Sequence, residues 1–282
     1  MNAAYWAAGF LRKIEKEKRG VFMRLSGTVF SHVLEMDTDI SIITPSRLRE
    51  EGNYKIAYVL HGLCGNNRTW LDYSFLPIYA NTGNTIYVLP EVQRSFYMDM
   101  KQGPRYYTYI TEELPKLCRN LFRISAIRED TAILGGSMGG FGALRCALTK
   151  PEQYGICGAF SSGCLFLREG MEETKTKGMH SKYRENFGEQ LMRDFQLAFG
   201  EDLTWRPDLE ILELARFAKE KGELPRLFLT CGTRDPFYQD HLRLIGEFKK
   251  LEIPYSFEEW EAEHDFFYFN EAMRRAISAL GL

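Results

Sequence analysis

One serine in this chain stands among four glycines. The stretch "ILGGSMGGFGAL" places Gly135 and Gly136 before Ser137, and Gly139 and Gly140 after it. An apolar run precedes the cluster and a helix-like pattern follows it, so the G-x-S-x-G motif falls on a strand-to-helix turn. Such a turn holds its serine in a strained conformation and lifts the hydroxyl out at a helix N-terminus. There the helix dipole and free N–H groups favour a developing negative charge. Small neighbours are required because strand and helix pass very close. A serine hydroxyl is a poor nucleophile at neutral pH; it needs a base in reach and an acid to orient that base.

Five histidines are available as base: His32, His61, His180, His241 and His264. Where this turn occurs the chain order is serine, then acid, then histidine. That leaves His180, His241 and His264. His180 lies in a polar stretch without strands, and His241 lies within a helical pattern that suits a surface or core histidine. His264, in "WEAEHDFFYF", follows the last predicted strand and precedes the last helix. It is the expected base. For the acid, Asp235 in "FLTCGTRDPF" follows the penultimate strand. An aspartate before Pro236 also suits a helix N-cap, a role one carboxylate would not easily combine with holding a histidine. Asp240 and Asp265 are rivals, the first inside a helix and the second beside the base rather than beneath it.

Acyl transfer also needs donors for a tetrahedral oxyanion. One should be the backbone N–H of Met138, directly after the serine; the other should come from the loop after an earlier strand. "YVLHGLCGN" supplies that loop, with Leu63 as the expected donor and His61 in a structural role. Cys64 sits on this loop rather than on the turn, so a cysteine nucleophile is not expected. Trp70, Phe141, Trp205, Trp260 and Phe266 are aromatic candidates for lining the substrate pocket, and Tyr183 or Trp205 would serve a sugar-binding role.

The elements that must position these residues alternate. "VFMRLSGTVF", "TDISIITP", "YKIAYVL", "NTIYVLPE", "DTAILGG", "YGICGAFSSG", "LPRLFLTCG" and "PYSFEEWE" read as strands. "YYTYITEELPKLCRNLF" has helical spacing of apolar residues, which Pro115 should kink or interrupt. "GGFGALRCALT", "DPFYQDHLRLIGEFKKL" and "DFFYFNEAMRRAISAL" read as further helices. This alternation predicts an α/β fold with a mostly parallel sheet covered on both faces. Residues 1–22 form an arm with a charge run from Lys13 to Arg19, and Met23 offers an alternative start. Residues 23–282 form one domain, with a helix-rich cap insertion at about 165–222 above the carboxyl ends of the strands.

The chain has 282 residues and a formal net charge of −2. That balance gives no electrostatic reason to expect nucleic acid or an anionic membrane as partner. No apolar run approaches the roughly 20 residues that span a bilayer. The six cysteines form no C-x-x-C pair, so zinc ribbons and thioredoxin-like redox sites are not expected. Basic residues follow the first apolar stretch, the reverse of a secretory signal. Free thiols in a reducing, cytoplasmic compartment are therefore expected. The expected partner is a small-molecule ester, and self-association is left open.

Taken together, "YVLHGLCGNNRTW", "ELP", "GGSMGGFGAL", "CGTRDPFYQDHLR" and "EHDFFYFNEAM" resemble the esterase D-like branch of the α/β-hydrolases. The likeness runs from about Met23 to the C-terminus and is nearest to the small tributyrin or acetyl esterase type. It implies an α/β-hydrolase fold and a serine carboxylesterase for short acyl esters, with no metal or cofactor. It carries over Ser137 as nucleophile, Asp235 as acid, His264 as base, and Leu63 and Met138 as oxyanion-hole donors. S-formylglutathione hydrolase-like thioesterase or acyltransferase activity is the alternative, although the chain lacks the Thr-Cys-Thr-Glu sequence typical of formylglutathione hydrolases. A catalytically silent binding protein should have lost a member of the triad, and none is missing. Two departures bear on substrate preference: Phe266 where the family commonly has Trp, and Cys64 where Ser or Thr is usual.

Overall fold

The computed structural model describes residues 23–45, 52–81, 83–177 and 190–282. Its strands are β1 (Arg24–Ser31), β2 (Met36–Ile43), β3 (Lys55–Leu60), β4 (Thr85–Pro90), β5 (Thr131–Gly136), β6 (Ile156–Phe160), β7 (Arg226–Gly232) and β8 (Ser256–Trp260). They form one eight-stranded sheet in the order β1-β2-β4-β3-β5-β6-β7-β8. The β1–β2 and β2–β4 pairs are antiparallel, and every pair from β4 to β8 is parallel. The carboxyl ends of β5, β7 and β8 therefore emerge along one edge, which is where an α/β sheet presents ligands.

The central parallel strands β3 to β6 are apolar and buried because both their faces are covered, whereas the edge strand β8 (SFEEW) is polar and partly exposed. In β3, Ile56, Tyr58 and Leu60 point into one core layer, while Ala57 and Val59 point into the other. The first layer receives α1 (Leu114–Leu121), α2 (Met138–Thr149) and later helices; the second receives the apolar stripe of the C-terminal helix. Pro115 does interrupt its pattern. A short helix at Tyr106–Thr108 widens into a π turn at Tyr109–Glu113 before α1 resumes at Leu114. The wider turn accommodates a ring that has no N–H to offer and would crowd the carbonyl four residues back.

Within the 165–222 segment lie α3 (Leu167–Lys177), α4 (Gln190–Phe199) and α5 (Ile211–Glu220). The first two border a cavity above the sheet edge, whereas α5 packs against α2 as part of the covering layer. His180 and Tyr183 lie outside the described residues. The chain closes with α6 (Tyr238–Lys250) and α7 (Phe266–Leu280). Asp265 caps α7 by accepting from the Tyr268 N–H at 2.9 Å, and Gly281 ends it with φ of 71°. Both are ordinary terminus chemistry. The cysteines are unpaired, and no helix of the described residues is long and apolar enough to cross a membrane.

Candidate active site

Ser137 joins β5 to α2 with φ of 58° and ψ of −122°. This is a backbone state that side-chain-bearing residues rarely adopt. It is held by sheet and helix together: the Ser137 N–H donates to the Phe160 carbonyl at 2.9 Å, and the Ser137 carbonyl accepts from Gly140 at 3.0 Å. The flanking glycines are required by close approach. A Cβ on Gly135 would run into the Gly139 carbonyl, and one on Gly139 into the Leu60 carbonyl. The helix can leave the strand this sharply only with bare backbone at both points.

His264 lies in the loop between β8 and α7, and its Nε2 is 3.0 Å from Ser137 Oγ. Its Nδ1 is 2.7 Å from Asp235 Oδ2. A carboxylate only accepts hydrogen bonds, so Nδ1 carries the proton and Nε2 is left as the acceptor facing the serine hydroxyl. The ring is seated edge-on against Phe237 and Phe269. Asp235 is buried, which on its own would push its carboxyl upward. Contacts with His264, the Ser161 hydroxyl and the Phe237 N–H outweigh burial and hold it below the ordinary carboxylate range. Its Oδ1 accepts from the Phe237 N–H at 2.8 Å while Oδ2 faces the imidazole. The two roles set against each other in the sequence are thus divided between two oxygens, because α6 starts only at Tyr238 and Asp235 sits in the turn before it.

The rivals have other positions. Asp265 caps α7, and Asp240 lies on α6. His241 is buried beneath the sheet edge. Its Nδ1 donates to the Phe237 carbonyl at 3.0 Å, and its Nε2 accepts from the Ser162 N–H at 3.1 Å. His61 is buried too, with Nδ1 2.8 Å from the Gly62 carbonyl and the Val92 N–H donating to Nε2 at 3.3 Å. That is a structural role.

The His61–Gly65 loop passes close over the turn: a Cβ on Gly62 would lie 3.5 Å from Ser137 Cβ. Leu63 and Met138 border the space around Ser137. The Met138 N–H belongs to the first turn of α2, where intrahelical partners are lacking. The arrangement supplies a hydroxyl, an oriented base and outward amides at a helix N-terminus, the components of acyl transfer.

Two cavities meet at Ser137 and Leu63. An open cleft of about 770 Å³ is lined by His264, Trp70, Tyr73, Arg234 and Phe266. A smaller cavity of about 200 Å³ is lined by Met138, Phe96, Leu165, Phe195 and Phe237, with Glu169, Glu173, Asp240 and Arg243 also on its wall. Trp70 and Phe266, expected at the pocket, are therefore at the open cleft. The Trp70 indole is fixed by donating to the Leu60 carbonyl at 2.9 Å. Three other aromatic expectations require correction. Phe141 is fully buried in the core beneath α2. Trp205 lies under Arg168 and donates to Glu210 at 3.2 Å. Trp260 packs on Tyr268 and Arg275. None of them lines either cavity. Aromatic content marks candidates, but most aromatic side chains fill cores. Sequence reasoning also missed Ser161, whose hydroxyl reaches Asp235, and the Phe96–Phe195 ring pair 4.7 Å apart. Neither lies in a motif that could have flagged it.

Sheet order, the strand-to-helix serine and the histidine loop define an α/β-hydrolase, and the molecule is a serine esterase. The Esterase family model matches residues 31–280, and the chain belongs to that family. An acetyl esterase of Caldicellulosiruptor saccharolyticus is 28% identical over 262 residues, 88% of this chain and 94% of that protein. The substrate-bound structure of FphF, a fluorophosphonate-binding serine hydrolase of Staphylococcus aureus, is 25% identical with a TM-score of 0.79. That match covers 93% of this chain and 99% of FphF. The S-formylglutathione hydrolase of Staphylococcus aureus shares the fold, with a TM-score of 0.77 and 24% identity over 92% of this chain and 99% of its own.

Proposed function

We propose that this carboxylesterase cleaves esters of short acyl groups, acetyl to butyryl, through an acyl-enzyme on Ser137. Ser137 Oγ attacks the ester carbonyl while His264 Nε2 takes its proton. Asp235 keeps the imidazole in the required tautomer and stabilises its cationic form. The oxyanion is held by the Leu63 and Met138 N–H groups, each worth about 3 kcal/mol in the transition state. The C–O bond to the alcohol then breaks, and the proton on Nε2 passes to the departing alkoxide. Water, deprotonated by His264, attacks the acyl-enzyme; the second tetrahedral intermediate collapses, releasing the acid and returning the proton to Ser137.

The observation that carries this reading is the continuous relay from Asp235 through His264 to Ser137, at 2.7 and 3.0 Å, where the two cavities meet. The cavities also orient the substrate. The departing alcohol must lie beside Nε2, and only the open cleft is lined by His264. The acyl group is then directed into the smaller cavity beside Met138, whose lining combines Phe96, Leu165, Phe195 and Phe237 with Glu169, Glu173, Asp240 and Arg243. A cavity of about 200 Å³ suits a small acyl group, and a cleft of about 770 Å³ accepts a bulky alcohol. The likeness to an acetyl esterase agrees with this orientation.

The test combines a fluorophosphonate probe with p-nitrophenyl esters of increasing acyl length. The wild-type enzyme is labelled and turns over acetyl to butyryl esters fastest. Ser137→Ala loses both labelling and turnover while remaining folded. Turnover retained in that variant defeats the nucleophile assignment, and rates rising steadily toward long acyl chains defeat the substrate class. A parallel assay with S-formylglutathione settles whether the site prefers a thioester.

A further inference from the structure

We infer that Ser161 is a positioning residue for the reaction, a fourth member of the relay that holds Asp235 and His264 in register. The inference rests on the reading of Ser137, His264 and Asp235 given above. Ser161 stands just past the end of β6 and is fully buried. Its hydroxyl donates to Asp235 Oδ2, the same oxygen that receives the His264 Nδ1–H, and its Oγ lies 3.1 Å from that Nδ1. Ser161 Oγ, Asp235 Oδ2 and His264 Nδ1 thus close a triangle. The hydroxyl hydrogen is committed to the carboxylate, so the Oγ lone pairs face the imidazole N–H. When His264 becomes cationic, its Nδ1–H has two acceptors in reach instead of one.

The backbone points the same way. Ser161 has φ of 43°, a left-handed state for a residue with a side chain, and such strain persists where the surroundings enforce it. They do so here from both sides. The Ser161 N–H donates to the Thr230 carbonyl at 2.8 Å, and the next N–H, of Ser162, donates to His241 Nε2 at 3.1 Å. A buried hydroxyl on a strained, doubly pinned turn has one polar destination of consequence, the Asp235–His264 pair. Neither cavity is lined by Ser161, so its effect must pass through that pair rather than through substrate.

The experiment uses Ser161→Gly, which removes the hydroxyl while easing the left-handed backbone, with Ser161→Ala and Ser161→Cys beside it. Each is assayed with p-nitrophenyl acetate over pH 5 to 9, and kcat is normalised to sites titrated by the fluorophosphonate, so unfolded protein does not count. Loss of a hydrogen bond to a charged group lowers kcat by about ten- to a hundred-fold. KM stays within about two-fold, because substrate contacts are untouched. The acidic limb of the kcat/KM profile moves to lower pH, since the imidazolium loses one of the two acceptors that face its Nδ1–H. Cys, a weaker donor, recovers part of kcat. A normalised kcat within two-fold of wild type with the limb unmoved overturns the inference. So does a loss confined to KM. Ser137→Ala is read alongside: if it is inactive while Ser161→Gly is normal, only this inference fails; if it is active, the underlying reading fails.

Discussion

Asp235 divides its work between its two oxygens. Oδ1 accepts the Phe237 N–H and so anchors the turn leading into α6, while Oδ2 receives His264 and Ser161. Removing the negative charge while keeping the shape should therefore separate structure from chemistry. In Asp235→Asn, Oδ1 can still take the Phe237 N–H, but the amide then presents N–H to the imidazole. Nδ1 must accept, which places the ring proton on Nε2, where it cannot receive the Ser137 proton. The expected result is a fall in kcat of about three to four orders of magnitude, with a thermal midpoint close to wild type. A fall of ten-fold or less, measured with p-nitrophenyl acetate at pH 8, would show that the carboxylate does not govern the tautomer. His264 was legible in the sequence as the expected base because it follows a strand and precedes a helix, and its ring lies between Asp235 and Ser137. Ser161 was not, because its role is set by where β6 ends relative to β7, which no local pattern encodes.

Helix α2 and strand β5 approach one another through glycine alone. Alanine is a better helix former than glycine by about 1 kcal/mol, so Gly139→Ala would stabilise an isolated helix. Here the added methyl would meet the Leu60 carbonyl, which is sheet backbone and cannot swing away. Overpacking against rigid backbone costs about 1–3 kcal/mol and exceeds the propensity gain. Gly139→Ala should unfold at lower urea than wild type. It should also lose activity, since the same shift tilts Ser137 and Met138; an equal or higher midpoint would refute the close-packing argument. At this scale the sequence was legible wherever an element had one dominant physical cause. Apolar runs marked the central strands β3 to β6, partial alternation marked β1 and β2, and Pro115 marked the interruption that appears as a π turn. It was illegible where a segment has two fates. The 165–222 stretch has the polarity of a cap, yet α5 packs on α2 as a layer helix. An amphipathic helix buries its stripe against whichever partner the topology supplies. Trp205 followed the same logic, its indole satisfied by Glu210 rather than by substrate.

Over the whole molecule, the groups that hold the sheet's carboxyl edge together also set how stability depends on pH. His241 lies beneath the turn that carries Ser161 and Ser162. Burial lowers its pKa from 6.5 to about 4, an effect only partly opposed by the Phe237 carbonyl and Asp235. Between those two values the unfolded chain binds a proton that the folded chain refuses, so stability rises with pH across this window and is fully present above about 6.5. The interval of about 2.5 units corresponds to about 3 kcal/mol, a large share of the 5–15 kcal/mol typical of a folded domain. Asp235 acts further into acid. Its folded value is depressed, so its contribution is present above the ordinary carboxylate range and is lost as pH falls through the folded value. The two groups therefore unload in sequence on acidification, the histidine first. Urea titrations at pH 7 and pH 4.5 should show a marked loss of unfolding free energy in the wild type. His241→Gln keeps an acceptor for the Ser162 N–H and a donor for the Phe237 carbonyl but has no proton to gain. The wild-type-minus-variant difference should shrink or reverse in sign by about 2–3 kcal/mol between those pH values. A difference that stays constant would show that His241 titrates alike in the folded and unfolded chains, and the edge of the sheet would then owe its acid sensitivity to the carboxylates alone.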